Sequence, residues 1–300
     1  MTFPAYPAYR DSGAEWIGAI PIGWQALRLK AVSDVRPSGV DKHSLEGEVQ
    51  VRLCNYVDVY KNNRITGDLP FMQATATPAE VERFSLLAGD VLITKDSETP
   101  DDIAVAAVVD ESAAGIVCGY HLALLRPQPN RAVGPFLFWS LKAPQALAQF
   151  SARAQGITRF GLTTSAMGEV LVTVPPPAEQ SAIAAFLDRE TGKIDALVAE
   201  QERLIALLKE KRQAVISQAV AKGLDTSAPM KDSGVAWLGQ VPAHWEVKRL
   251  RLLAQVQTGI AKGKDVLGVE TVRVPYLRVA NVQDGFIDTD DVSEIEIAAT

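Results

Sequence analysis

The apolar positions of the chain change their period at one place. From about Trp24 to Val174 they fall in short alternating or continuous runs, VQVRLCNYVDVY, GDVLITK, IAVAAVVD, IVCGYHLALLRP and EVLVTVPPP, separated by clusters of Gly, Pro, Asn and Asp. Apolar runs of this length, bounded by turn-forming residues, predict β-strands. Helical spacing is confined to 78–83 and to 134–153, the latter holding PFLFWSLKAPQALAQF. The pattern predicts a mixed α/β (α+β) domain with a largely antiparallel sheet over residues 1–177.

After PPPAEQ the period becomes that of a helix. Pro177 suits a first turn, where its missing N–H is not needed, and Glu179 favours the positive end of the helix dipole. No proline follows before Lys222-Gly223, a basic last turn and a glycine suited to a left-handed cap. One helix is therefore expected over 178–222, within a segment running to 226, with a length of roughly 68 Å at 1.5 Å per residue. Read in sevens, Leu187, Ile194, Gln201, Leu208 and Val215 share one column, and Glu190, Leu197, Leu204, Lys211 and Gln218 share the next. Ile183, Phe186, Ile205 and Ile216 widen the apolar stripe, a coiled-coil pattern that calls for a partner helix. Leu187, Ile194, Leu197, Leu204, Leu208 and Val215 are the candidate subunit contacts. Gly192 is the weak point, a place where a kink or break is expected if one occurs, since glycine costs about 1 kcal/mol relative to Ala inside a helix.

The third stretch repeats the first. Asp11, Ser12, Gly13, Trp16, Gly18, Pro21, Trp24, Arg28 and Leu29 recur, 221 residues on, as Asp232, Ser233, Gly234, Trp237, Gly239, Pro242, Trp245, Arg249 and Leu250. VRLCNYVDV (51–59) lies opposite VPYLRVANV (274–282) at a shift of 223. A long-period repeat means one structural unit built twice, so a second copy, expected to be partial and to leave strand edges unpaired, is assigned to 227–300.

Composition narrows the chemistry. The net charge is −6, and Lys/Arg stand against Asp/Glu at 15 to 18 in residues 1–177, 7 to 8 in 178–226 and 8 to 10 in 227–300. No segment is basic, so any nucleic-acid contact must come from local patches and from an assembly that adds positive charge. Cys54 and Cys118 lie in β-like runs without zinc-ligand spacing and read as reduced, buried thiols rather than a disulfide. No metal site is indicated. No apolar run reaches bilayer length and MTFPAYPAYRDSG lacks the form of a secretory signal, so a cytoplasmic location is expected.

The chain carries no legible active site. Val174-Pro175-Pro176-Pro177 lacks the polar first and aromatic last residues of an adenine-methyltransferase motif. In GIAKGKD (259–265) the glycines stand one residue too close for a phosphate loop, and Asp265 occupies the place of the magnesium-binding hydroxyl. His43, His121 and His244 have no catalytic partner nearby in sequence, and His121 reads as a hydrogen-bonded strand residue.

The segments DSGAEWIGAIPIGW, VTVPPPAEQSAIAAFLDRETGKIDALVAEQERLIALLKEKRQAVISQAVAKGLD and KDSGVAWLGQVPAHWEVKRL together resemble the specificity subunit of type I restriction–modification systems. The resemblance covers nearly the whole chain. It implies a first target-recognition domain (1–177), a conserved-region spacer helix (178–226) and a second recognition domain (227–300). The domains would read the two halves of a split site in double-stranded DNA. It further implies methyltransferase (M) and restriction (R) subunits as partners that bring S-adenosylmethionine, ATP and Mg chemistry, with no cofactor and no catalysis in this chain. Two other assignments stay open: a half-subunit that pairs two copies through the helix, and the specificity region of a fused restriction–methylation enzyme.

If the first domain reads DNA, polar loops should supply the contacts, with cations on phosphates and Arg, Asn, Gln, Asp or Glu on base edges. GITRFGLTT offers Gly156, Thr158, Arg159, Thr163 and Thr164. KDSETPDDI (95–103) offers Lys95 for a phosphate and a carboxylate, Asp96 among them, to accept from a cytosine amino group, and equally fits a solvated turn. The sequence KNNR offers Lys61, Asn62 and Arg64, and is also an ordinary hairpin connection.

Overall fold

The computed structural model describes residues 5–260 and 269–299; the segment 261–265 of the phosphate-loop-like string therefore lies outside the described residues. The chain divides into two compact units, Met1–Leu204 and Ile205–Thr300.

In the first unit the apolar runs form a five-stranded sheet with strand order Ser33–Pro37, Leu122–Pro127, Val91–Thr94, Ala106–Val109 and Arg64–Ile65. Every pairing in it is antiparallel except the last. Successive side chains of a strand point to opposite faces, and here both faces are covered. Leu92, Ala107, Val109, Leu122 and Leu124 enter one core cluster. Their neighbours Val91, Ile93, Ala106, Val108, Ala123 and Leu125 enter another. That double burial is why these runs are continuously apolar rather than alternating. The first cluster also includes Val51, Leu53, Cys54, Ala74, Ala76, Val117 and Cys118. These belong to a three-stranded sheet ordered Val117–Cys118, Val49–Cys54, Met72–Ala76. The second cluster takes in Phe138, Leu141 and Phe150 from two helices. Both cysteines are free and buried.

Two expected elements differ. The run VQVRLCNYVDVY is a strand only to Cys54 and continues as the helix Tyr56–Lys61. The reason is local: the Asn55 backbone N–H donates to the Asp58 carboxylate at 2.7 Å, a cap that favours a helix start over further strand. The helix expected over 134–153 is two helices, Gly134–Leu141 and Pro144–Ser151. Pro144 cannot continue the first because its ring clashes with the preceding turn, so it begins the second.

The long helix runs unbroken from Pro177 to Lys222, 46 residues or about 69 Å, straight through Gly192. Gly223 follows at φ +78° and donates its N–H to the Ala219 carbonyl at 3.1 Å, the left-handed stop that its residue type suggests.

The PPPAEQ motif anchors the start of this helix. Gln180 is fully buried, and its amide donates to the Arg131 and Pro175 carbonyls while its oxygen accepts from the Val133 N–H. One residue ahead, the Glu179 carboxylate accepts from the Trp24 indole at 3.2 Å and from the Tyr6 hydroxyl. Two turns on, Asp188 accepts from the Trp139 indole at 2.8 Å and pairs with Arg64 at 3.3 Å. The hydrogen bond to Glu179, together with burial, pushes the Tyr6 phenol up to about 12. An acid whose folded value lies above its free value of about 10 lends stability that is complete below pH 10 and fades as pH rises towards 12. Ultraviolet titration should show one phenol ionising near 12 that disappears in Tyr6→Phe.

The repeat is also a repeat of hydrogen bonds. Tyr9–Asp11 pairs with Ala19–Pro21, and Met230–Asp232 pairs with Gln240–Pro242, in the same register at a shift of 221. In each copy the Asp carboxylate accepts from the glycine N–H two residues on, at 2.9 Å (Asp11 to Gly13, Asp232 to Gly234). The following serine hydroxyl accepts from the N–H of Ala14 or Val235 at 3.2 Å. Gly13 and Gly234 sit at φ +74° and +71°, and Gly18 and Gly239 at +72° and +64°, where side-chain-bearing residues are strained. The repeat of polar residues and glycines therefore records one backbone path used twice.

It extends further. The hairpin Val49–Cys54 with Met72–Ala76 sets Val51 opposite Ala74; Thr271–Tyr276 with Ser293–Ala298 sets Val274 opposite Ile295. Among the described residues the second copy's hairpin is a two-stranded sheet, whereas Val49–Cys54 also pairs with Val117–Cys118.

Candidate nucleic-acid interface

Three of the sequence-selected residues meet in one place. The hairpin Gln155–Gly156 with Phe160–Gly161 adds a third strand, Asp96–Ser97, so GITRFGLTT and KDSETPDDI lie side by side in a small antiparallel sheet. The hairpin depends on Gly156, at φ +152°, because a Cβ there would lie 1.9 Å from the Arg159 carbonyl oxygen. Its tip is exposed, Ile157 being 93% accessible. Thr158, Arg159 and Asp96 line an open cleft of about 670 Å³ together with Ser97, Glu98, Thr99, Asp102, Tyr56 and Tyr60.

Polar contacts shape the cleft. The Asp96 carboxylate is 2.7 Å from Nδ1 of His121, and Arg159 approaches the same nitrogen at 3.4 Å. The Tyr60 hydroxyl donates to Asp102 at 2.9 Å, and the Tyr56 and Tyr60 rings stack at 5.4 Å. Burial raises the Tyr56 phenol and the hydrogen bond to Asp102 raises that of Tyr60, so both stay protonated at neutral pH. The loop that carries Asp102 ends at Ala104, a buried non-glycine residue at φ +61°, the kind of locally strained backbone that a packed surrounding must hold in place.

The remaining residues lie elsewhere or are already engaged. Lys95 is half-buried and donates Nζ to the Ser38 carbonyl at 2.9 Å. Thr163 caps the helix Thr164–Gly168 by accepting from the Ala166 N–H. Thr164 lines a separate groove with Lys30, Asp34 and Gln128. The KNNR segment is not a hairpin connection: it joins a helix to the strand Arg64–Ile65, whose partner Ala106–Val109 runs parallel. Within it Asn62 bonds its own helix, Asn63 accepts from Lys142, and Arg64 pairs with Asp188 and Asp110; Lys61 ends the helix Tyr56–Lys61. On the long helix Ile194, Leu197, Leu204, Leu208 and Val215 are exposed and Leu187 is half-buried.

Glu98 and Asp102 fall within the KDSETPDDI loop that the sequence offers, though not singled out there; Tyr56, Tyr60 and the tie between His121 and Asp96 were missed. The four-residue spacing of the two tyrosines was the available signal, and it counts only once NYVDVY is read as helix.

A mixed α/β unit that leads into a long helix, with its opening hairpins built again beyond that helix, is the class of protein these observations define. A similar fold appears in a chain solved in work on complex assembly and conformational transition of the type I R-M system. The two match at a TM-score of 0.53 and 22% identity, over 70% of this chain and 48% of that one. Among curated proteins, the chain is similar to the EcoKI type I restriction enzyme specificity subunit of Escherichia coli (strain K12), 24% identical over 291 residues, 93% of this chain and 58% of the relative. It is likewise similar to the StySPI specificity subunit of Salmonella potsdam, 24% identical over 277 residues, 89% of this chain and 55% of the relative. It thus spans little more than half the length of these relatives. No family model matches.

Proposed function

We infer that the chain is a non-catalytic DNA-specificity subunit of a type I restriction–modification complex. One observation carries the reading: the hairpin-and-turn unit is built twice, hydrogen bond for hydrogen bond, on a chain whose relatives are specificity subunits along 93% of its length. Each copy begins a unit that reads one part of a bipartite target in double-stranded DNA, and Thr158, Arg159 and Asp96 belong to the first reading surface. The helix is the spacer. At about 69 Å it is about two turns of DNA long, a turn being about 34–36 Å, so distance along the duplex becomes part of specificity.

Methyltransferase subunits dock on the exposed stripe of Ile194, Leu197, Leu204, Leu208 and Val215. S-adenosylmethionine, ATP and Mg are held by the partner subunits, and the work takes place in the cytoplasm. No helix among the described residues is long and apolar enough to cross a membrane. A second reading, a half-subunit that pairs with its own copy, rests on the same exposed stripe. Leu204→Asp with Leu208→Asp should weaken co-purification with methyltransferase subunits at least about tenfold, since buried apolar anchors dominate such interfaces, and leave thermal unfolding of the first unit in place. Undiminished assembly would exclude the stripe. Light scattering of the wild-type chain alone distinguishes monomer from pair.

A further inference from the structure

The cleft beside the Gly156 hairpin holds one cation and one anion that the fold does not use. Arg159 forms no ion pair among the described residues, and its polar contact is the 3.4 Å approach to His121. Glu98 is exposed on the same cleft and makes no hydrogen bond or ion pair among the described residues. Asp96 and Asp102, by contrast, are held by His121 and Tyr60. Arg159 and Glu98 line the same open cleft as a stacked pair of tyrosine rings.

The chain itself supplies a comparison. At the shift of 223, Asn55 and Asp58 correspond to Arg278 and Asn281, and the same cap recurs: the Arg278 N–H donates to the Asn281 side-chain oxygen at 2.8 Å, as Asn55 does to Asp58 at 2.7 Å. Tyr56 and Tyr60 fall opposite Val279 and Gln283. The strand and cap that position the cleft wall are kept, while the side chains presented on it change. A shared frame with exchanged surface chemistry is what two units reading different sequences need.

Taking the DNA-reading role as given, we propose that this cleft reads a single G·C base pair through the major groove. Arg159 donates two parallel N–H groups to O6 and N7 of guanine, and Glu98 accepts from the N4 amino group of the paired cytosine. A G·C pair presents two adjacent acceptors on one base and a donor on the other, which matches a guanidinium beside a carboxylate. An A·T pair fits poorly. Adenine offers one acceptor next to an amino group, so the second Arg N–H goes unmet, and thymine turns a methyl group towards the carboxylate. The protonated tyrosines form a neutral wall that adds no further charge at neutral pH.

The test uses the full chain assembled with methyltransferase subunits of its host, selecting from a duplex library with randomised positions. Arg159→Ala and Glu98→Ala are compared with wild type; both residues are exposed and support no fold contact beyond the Arg159–His121 approach. The expected result is loss of G·C preference over A·T at one shared position, by roughly tenfold to a hundredfold for Arg159→Ala, with the other positions unchanged. Retention of the complete motif by both variants would overturn the inference and leave the DNA-reading role standing. So would a uniform loss of affinity across all sequences in Arg159→Ala, which marks a phosphate contact. A wild-type assembly that selects no sequence at all would remove the DNA-reading role itself.

Discussion

Gly156→Ala is expected to destroy target discrimination by the first unit while its core stays folded. The added methyl carbon would sit 1.9 Å from the Arg159 carbonyl oxygen and 2.8 Å from its carbon. The obstacle is backbone rather than the end of a flexible side chain, so the hairpin must open. Opening moves Thr158 and Arg159 off the cleft and unpairs Phe160 and Gly161 from the strand Asp96–Ser97. The hairpin lies outside both core clusters except for Phe160, which packs on one of them, and Leu162, which is within it. Backbone strain of this kind costs on the order of 1–3 kcal/mol, well below the total stability of a domain. DNA affinity of the assembled complex should fall by at least about tenfold, as expected when a base contact worth roughly 1–3 kcal/mol is misplaced. Circular dichroism of the variant should match wild type. A variant that binds its target as tightly as wild type would show that the hairpin does not touch DNA.

Gln180→Ala should produce a large loss of stability. The buried amide meets three backbone groups: the Arg131 and Pro175 carbonyls and the Val133 N–H. Truncation leaves these groups without their partner, and each buried polar group so left costs about 1–3 kcal/mol. The expected penalty is about 3–5 kcal/mol, read as a lowered urea midpoint with an unchanged slope. Gln180→Glu should not rescue it, because a carboxylate cannot donate to the two carbonyls and carries a charge into a buried site. Glu179→Gln provides the contrast. Its partners Tyr6 and Trp24 are on the accessible side, so the loss should stay near 1 kcal/mol, the usual net value of a hydrogen bond. Equal losses at the two positions would mean that the helix is not anchored through Gln180.

Much of this architecture was legible because its causes are local. The opening turn is written in Asp-Ser-Gly and in glycines at positive φ, whose bonds close within a few residues, so its second copy could be recognised from the same letters. Both ends of the long helix carry their own stop signals, Pro177 and Gly223. The break at Pro144 was equally local, and only the surrounding apolar spacing concealed it. NYVDVY alternates like a strand, and a single bond from Asn55 to Asp58 decides for helix.

The site was less legible because contacts distant in sequence assemble it. Asp96 meets His121 25 positions away, and the strand Asp96–Ser97 pairs with Phe160–Gly161. Arg64 looks like a free cation in KNNR, yet Asp188 on the long helix takes it, 124 positions on. Composition hid the proposed reading surface as well. A net charge of −6 argues against DNA, but base edges are read by paired donors and acceptors, and a cleft lined by both Arg159 and Glu98 need not be basic overall.

Methylation mapping of host DNA tests the central claim most directly. A cell supplied with methyltransferase subunits and this chain should acquire methylation at one two-part motif, and cells with either component alone should show none. Methyl transfer by the purified chain without a partner, or methylation in its presence that follows no common sequence, would contradict the account.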